Sequence, residues 1–193
     1  MSRALGIAAL VTAAAALVVG SRARRVPIVD SFEIVTTEEI SGALPPPSNP
    51  PARGRVSPSD VLALLPEADP DGWMPPAAAL AFVEVESGFN PFAYRFEPHL
   101  NEASYGLMQV LASTARDMGL QGSPERMYDP AVSLRVGIDY AKWAHDFLAR
   151  RLGRDPTETE WVGAYNAGVG NVLRGFIPQS YVRKWTLARE KYQ

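Results

Sequence analysis

The chain has 193 residues, 47% of them hydrophobic, and a formal net charge of −2. This length and composition predict one packed domain with an appended tail, and the balanced charge gives no support to nucleic-acid binding. The chain has no cysteine, which excludes disulfides and thiolate metal sites without fixing the compartment. Its two histidines lack metal-ligand spacing, so we predict no metal and no cofactor.

The N-terminal segment, residues 1–25, is predicted to be a signal peptide or a membrane anchor. Residues 4–20 are almost wholly apolar, a run that is short for a membrane span and long for the core of a signal sequence. Three arginines follow the run (Arg22, Arg24 and Arg25), a pattern that the positive-inside rule associates with a cytoplasmic location for what comes next. Three interpretations therefore stay open: an export signal or anchor with an imperfect charge pattern, a phage protein that travels in a virion or reaches the cell wall by another route, and a helix buried against a partner.

Residues 26–56 are predicted to form a proline-rich linker. The run Leu-Pro-Pro-Pro-Ser-Asn-Pro-Pro at 44–51 favours extended polyproline geometry and is incompatible with a helix. Such a segment serves either as a semi-rigid spacer or as an ordinary disordered tail, and the sequence favours neither.

The rest of the chain, residues 57–193, is predicted to be a mostly helical domain. Ser57 and Pro58 begin a first helix that ends at Leu65, and Pro130 begins the longest helix, which ends near Leu152. No segment shows sustained strand alternation, although residues 92–103 lack a helical period and are predicted to form a loop or a small hairpin. The fold class is therefore mostly α with at most a minor β element. Further helices are predicted at 113–118, 157–167, 171–175 and 179–191, and the core-facing side of the longest helix is predicted to carry Val132, Val136, Tyr140, Ala144, Phe147 and Leu148.

Glu86 is the strongest candidate for a catalytic residue. The prolines at 75–76 suit the first turn of a helix and Gly88 suits its end, so Glu86 lies in the last turn, where the helix dipole is negative. Its neighbours on the same helix face are Phe82 and Val83. Both surroundings disfavour the ionised carboxylate and predict a raised pKa, as a general acid at neutral pH requires.

Four motifs follow one another along this domain. They are Glu-Ser-Gly-Phe-Asn-Pro (86–91), Gly-Leu-Met-Gln (106–109), Ala-Tyr-Asn-Ala-Gly (164–168) and Tyr-Val-Arg-Lys (181–184). Each motif alone is weak evidence, but in this order and rough spacing the sequence resembles the soluble lytic transglycosylase domain family. The resemblance extends from about Ser57 to the C-terminus. It implies a goose-type-lysozyme-like fold and cleavage of peptidoglycan glycan strands.

The resemblance also implies a reaction that uses one carboxylate. Glycoside cleavage usually needs two, whereas here Glu86 would first protonate the oxygen between N-acetylmuramic acid and N-acetylglucosamine. The resulting carboxylate would then deprotonate the muramyl C6 hydroxyl, which closes onto C1 and leaves a 1,6-anhydro end. Such a substrate implies a periplasmic or membrane-anchored location facing the cell wall, with association with a virion as the alternative.

Two motifs supply candidate substrate-binding residues close to the acid. Ser87 is expected to orient Glu86 through a hydrogen bond. Gln109 can donate to and accept from N-acetyl and hydroxyl groups, and Met108 offers a soft apolar wall for a sugar ring. By the resemblance, Met108 and Gln109 line the substrate groove.

The two C-terminal motifs supply the remaining candidates. The resemblance places Tyr165 within hydrogen-bond reach of Glu86, and Asn166 and Tyr181 are expected to face the cleft. The alternatives are core packing with a satisfied hydroxyl for the two tyrosines and a helix-capping role for Asn166.

Two departures from the family pattern bear on the reaction. Tyr105 stands where a small residue or arginine commonly precedes the Gly-Leu-Met-Gln motif, and its bulk is expected to narrow the cleft. Glu97 and Glu102 are candidates for a second carboxylate that positions water, which would make the protein a muramidase, although each is also explained as a solvated loop carboxylate. A third function, a non-catalytic glycan-binding or structural protein of a virion or secretion apparatus, is disfavoured by the intact Glu86.

Overall fold

The computed structural model describes residues 54–193, so the predicted apolar segment and most of the predicted linker lie outside the described residues. The described part is mostly helical with one small sheet, as the sequence predicts. Its first helix, α1 (Pro58–Ala68), begins with a reciprocal capping box between Ser57 and Asp60, in which each side chain accepts the other residue's backbone N–H. The predicted end at Leu65 was wrong, because the N–H of Asp69 donates to the Leu65 carbonyl oxygen (2.8 Å) and closes one more turn.

The second helix, α2 (Pro76–Ser87), carries Glu86 in its last turn, as predicted. Six consecutive residues, from 78 to 83, are buried, so this helix is surrounded by the core. Gly88 ends it with φ +56, a left-handed conformation that glycine adopts without a Cβ penalty. The residue after Gly88 also contacts the start of the domain. The N–H of Val56, which precedes α1, donates to the Phe89 carbonyl oxygen (3.0 Å), so the last residue of the predicted linker contacts the domain.

The predicted hairpin is present and is extended by a third strand. Strands β1 (Tyr94–Glu97), β2 (Glu102–Tyr105) and β3 (Val110–Leu111) form an antiparallel sheet in that order. The register pairs Tyr94 with Tyr105 and Glu97 with Glu102. The sheet therefore places the Gly-Leu-Met-Gln motif in the connection between β2 and β3.

The remaining elements are helical. The longest, α4 (Pro130–Leu152), begins at Asp129, whose carboxylate accepts the Ala131 N–H (2.9 Å), and ends at Gly153 with φ +68. The helix predicted at 171–175 begins and ends two residues earlier, because Gly168 begins it and the left-handed Gly175 lies beyond its end. The others are α3 (Ala112–Asp117), a 3₁₀ turn (Pro124–Tyr128), α5 (Glu158–Ala167), α6 (Val169–Leu173) and α7 (Gln179–Glu190).

The core is centred on Phe82 of α2. Its ring lies 5.3 Å from that of Trp185 on α7, 5.6 Å from that of Trp161 and 4.5 Å from that of Tyr165, both on α5 (centroid distances). These contacts hold α2, α5 and α7 in a fixed mutual arrangement. They also explain how motifs from distant parts of the chain reach one site.

The prediction of which α4 residues face the core is only partly correct. Val136, Ala144 and Leu148 are buried, whereas Val132, Tyr140 and Phe147 are only partly buried. The helix also buries three hydrophobic residues outside the predicted stripe, because both α1 and α5 pack against it. These three are Leu134, Ile138 and Ala141.

Two negative findings apply to residues 54–193. No helix in that range combines the length and apolar character needed to cross a membrane. In the same range no three side chains of the His, Cys, Asp or Glu type cluster closely enough to hold a metal ion.

Candidate active site

A cleft with a volume of about 500 Å³ lies where the sheet meets the ends of α2 and α5. The carboxylate-bearing Glu86 is part of its wall. Residues of the sheet and its connections and of helices α3 to α6 form the rest of the lining, including Arg95, Glu97, Gln109, Tyr140, Tyr165 and Asn166. The helix that carries Glu86 is fixed by the core on its other sides, so the acid is presented to the cleft from a rigid support.

The environment of Glu86 favours its protonated form. Burial raises its pKa more than the Tyr181 hydrogen bond and the positive charge of Arg95 lower it, and the net result is a rise from 4.5 to about 7. The raised pKa agrees with the sequence-based prediction. A carboxyl group with a pKa near 7 can give up a proton and take one back at neutral pH.

Tyr181 of α7 is the tyrosine that contacts the acid. Its hydroxyl donates a hydrogen bond to Oε1 of Glu86. Burial and the negative charge of Glu86 hold the pKa of Tyr181 well above its usual value, so the hydroxyl stays a donor. Tyr165, which the resemblance places within hydrogen-bond reach of Glu86, makes its hydrogen bond elsewhere.

Tyr165 instead supports the loop after β2. Its buried hydroxyl donates to the Met108 carbonyl oxygen (2.8 Å), and its pKa is raised by burial and by the charge of Glu86. The ring lines the cleft beside Glu86. This tyrosine thus links α5 to the loop between β2 and β3.

Met108 does not form a wall of the cleft, contrary to the prediction. Its side chain is fully buried and packs against Gly137 of α4, where an added Cβ would approach the Met108 sulfur to 2.4 Å. Its backbone N–H donates to the Ser133 hydroxyl (3.3 Å). Met108 therefore anchors the loop on α4, because the missing side chain at Gly137 leaves a hole that the methionine fills.

Gln109 lines the cleft, but its amide is largely occupied within the protein. Nε2 donates to the carbonyl oxygens of Ala93 and Gly106 (both 3.0 Å), and Oε1 accepts from the Ser104 hydroxyl (3.1 Å). These bonds hold the backbone of Gln109 at φ +47. One acceptor position on Oε1 remains for a ligand.

The arrangement of these motifs matches a known family. The Transglycosylase SLT domain matches residues 67–186, which is more than half of the chain. The chain belongs to this family. The match lies within the predicted domain at 57–193 and confirms the resemblance seen in the sequence.

Relatives and a solved structure were also found. The membrane-bound lytic murein transglycosylase C of Actinobacillus pleuropneumoniae, in serotypes 5b, 3 and 7, is 34% identical over 115 residues, which is 55% of this chain and 30% of the relative. The match thus spans under a third of these relatives. The 70 kDa soluble lytic transglycosylase of Escherichia coli is 22% identical with a TM-score of 0.45, covering 67% of this chain and 22% of that one.

Of two further candidates in this SLT domain, Ser87 does not make its predicted contact, whereas Asn166 lies where it was expected. The Ser87 hydroxyl donates to the Val83 carbonyl oxygen (3.1 Å) and does not contact Glu86, because a serine in a helix readily bonds back to the preceding turn. Asn166 is exposed at the end of α5 and lines the cleft. The end of α5 is closed by the Gly168 N–H, which donates to the Ala164 carbonyl oxygen (2.9 Å).

The two candidates for a second carboxylate are in different places. Glu97 lines the cleft and pairs with Arg95, whose Nε lies 2.5 Å from its carboxylate. Glu102 accepts hydrogen bonds from the backbone N–H and the hydroxyl of Ser113 at the start of α3. It therefore stabilises a helix N-terminus, and only Glu97 belongs to the cleft.

Tyr105 does not narrow the cleft, and that expectation was wrong. Its side chain, at the end of β2, is buried, with its ring 5.4 Å from that of Tyr94 and 5.8 Å from that of Tyr128.

Sequence reasoning in turn missed Arg95 and Tyr140 as cleft residues. The pKa of Tyr140 is raised to about 12, first by burial and then by the charge of Glu86, and its place in an apolar helical stripe gave no sign of this role.

Proposed function

We propose that this protein is a peptidoglycan lytic transglycosylase that cleaves the β-1,4 bond between N-acetylmuramic acid and N-acetylglucosamine. The observation that carries the proposal is Glu86, a cleft carboxyl whose pKa is raised to about 7 and which accepts a hydrogen bond from Tyr181. Membership of the SLT family supports the reaction class. Because the match covers 30% of the curated relatives, the activity of the whole protein remains a proposal.

The first step is proton transfer to the glycosidic oxygen. Protonated Glu86 donates its proton as the bond between C1 of the muramyl residue and this oxygen breaks. The leaving sugar departs with a new hydroxyl group, and positive charge develops at C1. The resulting Glu86 carboxylate is stabilised by the hydroxyl of Tyr181 and by the charge of Arg95, the two groups that favour its ionised form.

The second step closes the anhydro ring. The Glu86 carboxylate removes the proton of the muramyl C6 hydroxyl while the C6 oxygen forms a bond to C1. The carboxyl group is protonated again, and no water is consumed. One carboxyl group serves both steps because its pKa lies near the working pH.

The other cleft residues are proposed to hold the sugar. Asn166 offers an exposed amide that can both donate and accept, and Gln109 offers its remaining acceptor position. Tyr165 acts through the loop that it supports and is a positioning residue. In this scheme Ser87 and Met108 have structural rather than substrate-binding roles.

A muramidase that uses water is the second candidate. The observation that favours it is Glu97, a carboxylate that lines the same cleft as Glu86. If Glu97 positions a water molecule for attack at C1, the products carry reducing ends. In the free protein, however, the Glu97 carboxylate is paired with Arg95, and this pairing favours the anhydro reaction.

The N-terminal segments are proposed to deliver the domain to its substrate. Residues 1–25 would act as a signal peptide or membrane anchor, and residues 26–56 would hold the catalytic domain at a distance from the membrane. The relatives named membrane-bound lytic murein transglycosylase C are consistent with a location facing the cell wall.

Mass spectrometry of muropeptides released from purified sacculi by the full chain tests the proposal. We expect products one water lighter than hydrolysed muropeptides, and none from Glu86→Gln. Reducing-end products that disappear in Glu97→Gln, but persist in the control Glu102→Gln, would establish the muramidase instead. Equal release by Glu86→Gln and the unaltered chain would refute both.

A further inference from the structure

Helix α4 carries three aromatic side chains that form one continuous stripe, which we call the α4 stripe: Tyr140, Trp143 and Phe147. The rings of Tyr140 and Trp143 lie 5.9 Å apart with planes inclined by 18°, and those of Trp143 and Phe147 lie 5.4 Å apart at 31°. Residues three and four positions apart share a helix face. The stripe is therefore a single apolar surface that extends along the helix.

The α4 stripe begins inside the cleft and leaves it. Tyr140 lines the cleft together with Glu86, whereas Trp143 is 39% exposed on the outer surface. At 1.5 Å per residue, the helix advances about 10 Å from Tyr140 to Phe147, comparable to the length of a disaccharide. A polymer that occupies the cleft and extends beyond Tyr140 would therefore meet Trp143 next.

Polar groups border the stripe on both sides of Trp143. Asp139 and Asp146 lie one turn before and one turn after it on the same face. Their side chains are 45% and 46% exposed, and one oxygen of each faces a neighbour, Arg135 at 3.7 Å and His145 at 3.3 Å, which leaves the other oxygen as an acceptor. The guanidinium group of Arg151 covers Phe147 at 5.7 Å from the ring centroid and closes the far end. An apolar platform beside carboxylate acceptors matches a pyranose ring, which has apolar C–H faces and hydroxyl groups around its edge.

The carboxylates beside the α4 stripe also indicate what kind of ligand could cover it. The buried centre of a protein–protein interface is depleted of charged residues. Here two exposed carboxylates stand directly beside the central tryptophan, and a second copy of the chain would have to desolvate them. Hydroxyl groups of a sugar can donate to the same carboxylates while water retains access to them.

We infer that the α4 stripe is an extension of the cleft that binds the glycan strand beyond the bond that is cleaved. This inference rests on the proposed function, because it assumes that a glycan occupies the cleft. It adds that Trp143 makes affinity depend on strand length. Trp143 is then a substrate-binding residue outside the reacting centre.

Calorimetric binding of N-acetylglucosamine oligomers to the full chain, in the Glu86→Gln background, tests the inference. We expect the hexamer to bind more tightly than the dimer, and Trp143→Ala to weaken hexamer binding by about five- to tenfold while dimer binding stays within about twofold. Trp143→Phe should recover most of the loss, because it keeps an aromatic ring. Leu187→Ala, which truncates another exposed apolar side chain (52% exposed) on α7, is the matched control and should bind both oligomers normally.

Several outcomes would overturn the inference. The first is that Trp143→Ala still binds the hexamer in preference to the dimer as strongly as the parent does. The second is that Leu187→Ala weakens hexamer binding as much as Trp143→Ala does. The third is that Trp143→Ala weakens dimer binding as much as hexamer binding. Self-association of the parent chain that Trp143→Ala abolishes, with hexamer binding unchanged, would assign the stripe to a second copy of the chain. Failure of the proposed function has a different signature, because the unaltered chain would then release no muropeptides from sacculi.

Discussion

The hydroxyl of Tyr181 on α7 donates a hydrogen bond to Oε1 of Glu86 at the end of α2, although the two residues are 95 positions apart in the chain. The bond depends on the packing of α2 along α7, where the rings of Phe82 and Trp185 lie 5.3 Å apart. The phenol donor favours the ionised carboxylate, whereas burial favours the neutral acid. The two effects, with that of Arg95, place the pKa of Glu86 at about 7.

Tyr181→Phe removes a hydrogen bond that lowers the pKa of Glu86, so this pKa should rise above about 7. In a profile of kcat/KM against pH, the limb that reports loss of the acid proton should move to higher pH. We also expect kcat to fall about ten- to hundredfold, because the carboxylate formed in the first step loses a charge-assisted hydrogen bond. Tyr192→Phe is the control, because the Tyr192 hydroxyl donates to Glu84 rather than to Glu86 (2.6 Å). The same limb of its pH profile should coincide with that of the parent. A Tyr181→Phe profile identical to that of the parent would contradict the assigned role.

Tyr165→Phe should act on stability and on loop position, because the Tyr165 hydroxyl bonds to the Met108 carbonyl oxygen rather than to Glu86. A buried carbonyl left without its donor costs about 1–3 kcal/mol, which urea unfolding would report as a lower midpoint. We expect kcat/KM to fall without a shift of the pH limb. A shift as large as that of Tyr181→Phe would show that Tyr165 acts on the acid directly.

Glu86→Gln should change the pH dependence of stability. The folded-state pKa of about 7 exceeds the ordinary 4.5, so the folded protein binds more protons between these values. The free energy of unfolding of the parent must therefore fall as the pH rises from about 4.5 to 7. Glutamine lacks this titration, so the variant should be more stable than the parent by about 3 kcal/mol at pH 8 and similar to it at pH 4.

Glu84→Gln is the control for this experiment, because its effect on the free energy of unfolding should have the opposite sign. Burial raises the pKa of Glu84, but hydrogen bonds from Lys191 and Tyr192 and the charge of Lys191 together lower it below its usual value. Its contribution to stability is therefore present at neutral pH and is lost as the pH falls. Denaturant titrations across the pH range should show the two variants diverging from the parent in opposite directions at neutral pH and above.

Gly137→Ala should destabilise the protein, although alanine is normally the better helix former. The added Cβ would lie 2.4 Å from the sulfur and 2.6 Å from the Cβ of Met108, so the loop or the helix must shift, at a cost of about 1–3 kcal/mol. Gly170→Ala in α6 is the control, because its Cβ would meet only the Arg174 guanidinium at 3.6 Å. Thermal unfolding followed by circular dichroism should show a lower Tm for Gly137→Ala alone.

The sequence predicted local features well. The prolines at 75–76 and the position of Gly88 placed Glu86 in the last turn of a helix, and its raised pKa followed from that position and from the apolar neighbours Phe82 and Val83. The lack of a helical period in residues 92–103 predicted a loop or a small hairpin, and the structure has the hairpin. Each of these features depends on residues a few positions apart, where helix geometry and turn chemistry leave few alternatives.

Long-range partners could not be predicted in the same way. Tyr165 was expected within hydrogen-bond reach of Glu86 and Tyr181 was expected only to face the cleft, but the packing of α7 against α2 gives the bond to Tyr181. Met108 was expected in the cleft, but the hole at Gly137, 29 positions later in the chain, draws it into the core. Glu102 lies opposite Glu97 in the register of β1 and β2, yet it accepts hydrogen bonds from Ser113 at the start of α3, a contact that the sequence does not indicate.

The burial of α2 has a consequence for how the cleft opens. Residues 78–83 are buried on all sides of the helix, so their amide protons should exchange with deuterium only when the whole domain unfolds. The β1–β2 hairpin carries exposed residues along β1 and belongs to the elements that open in smaller, more frequent fluctuations. Hydrogen exchange should therefore be faster in the hairpin than in residues 78–83, so the wall that carries Glu86 should be the more rigid side of the cleft.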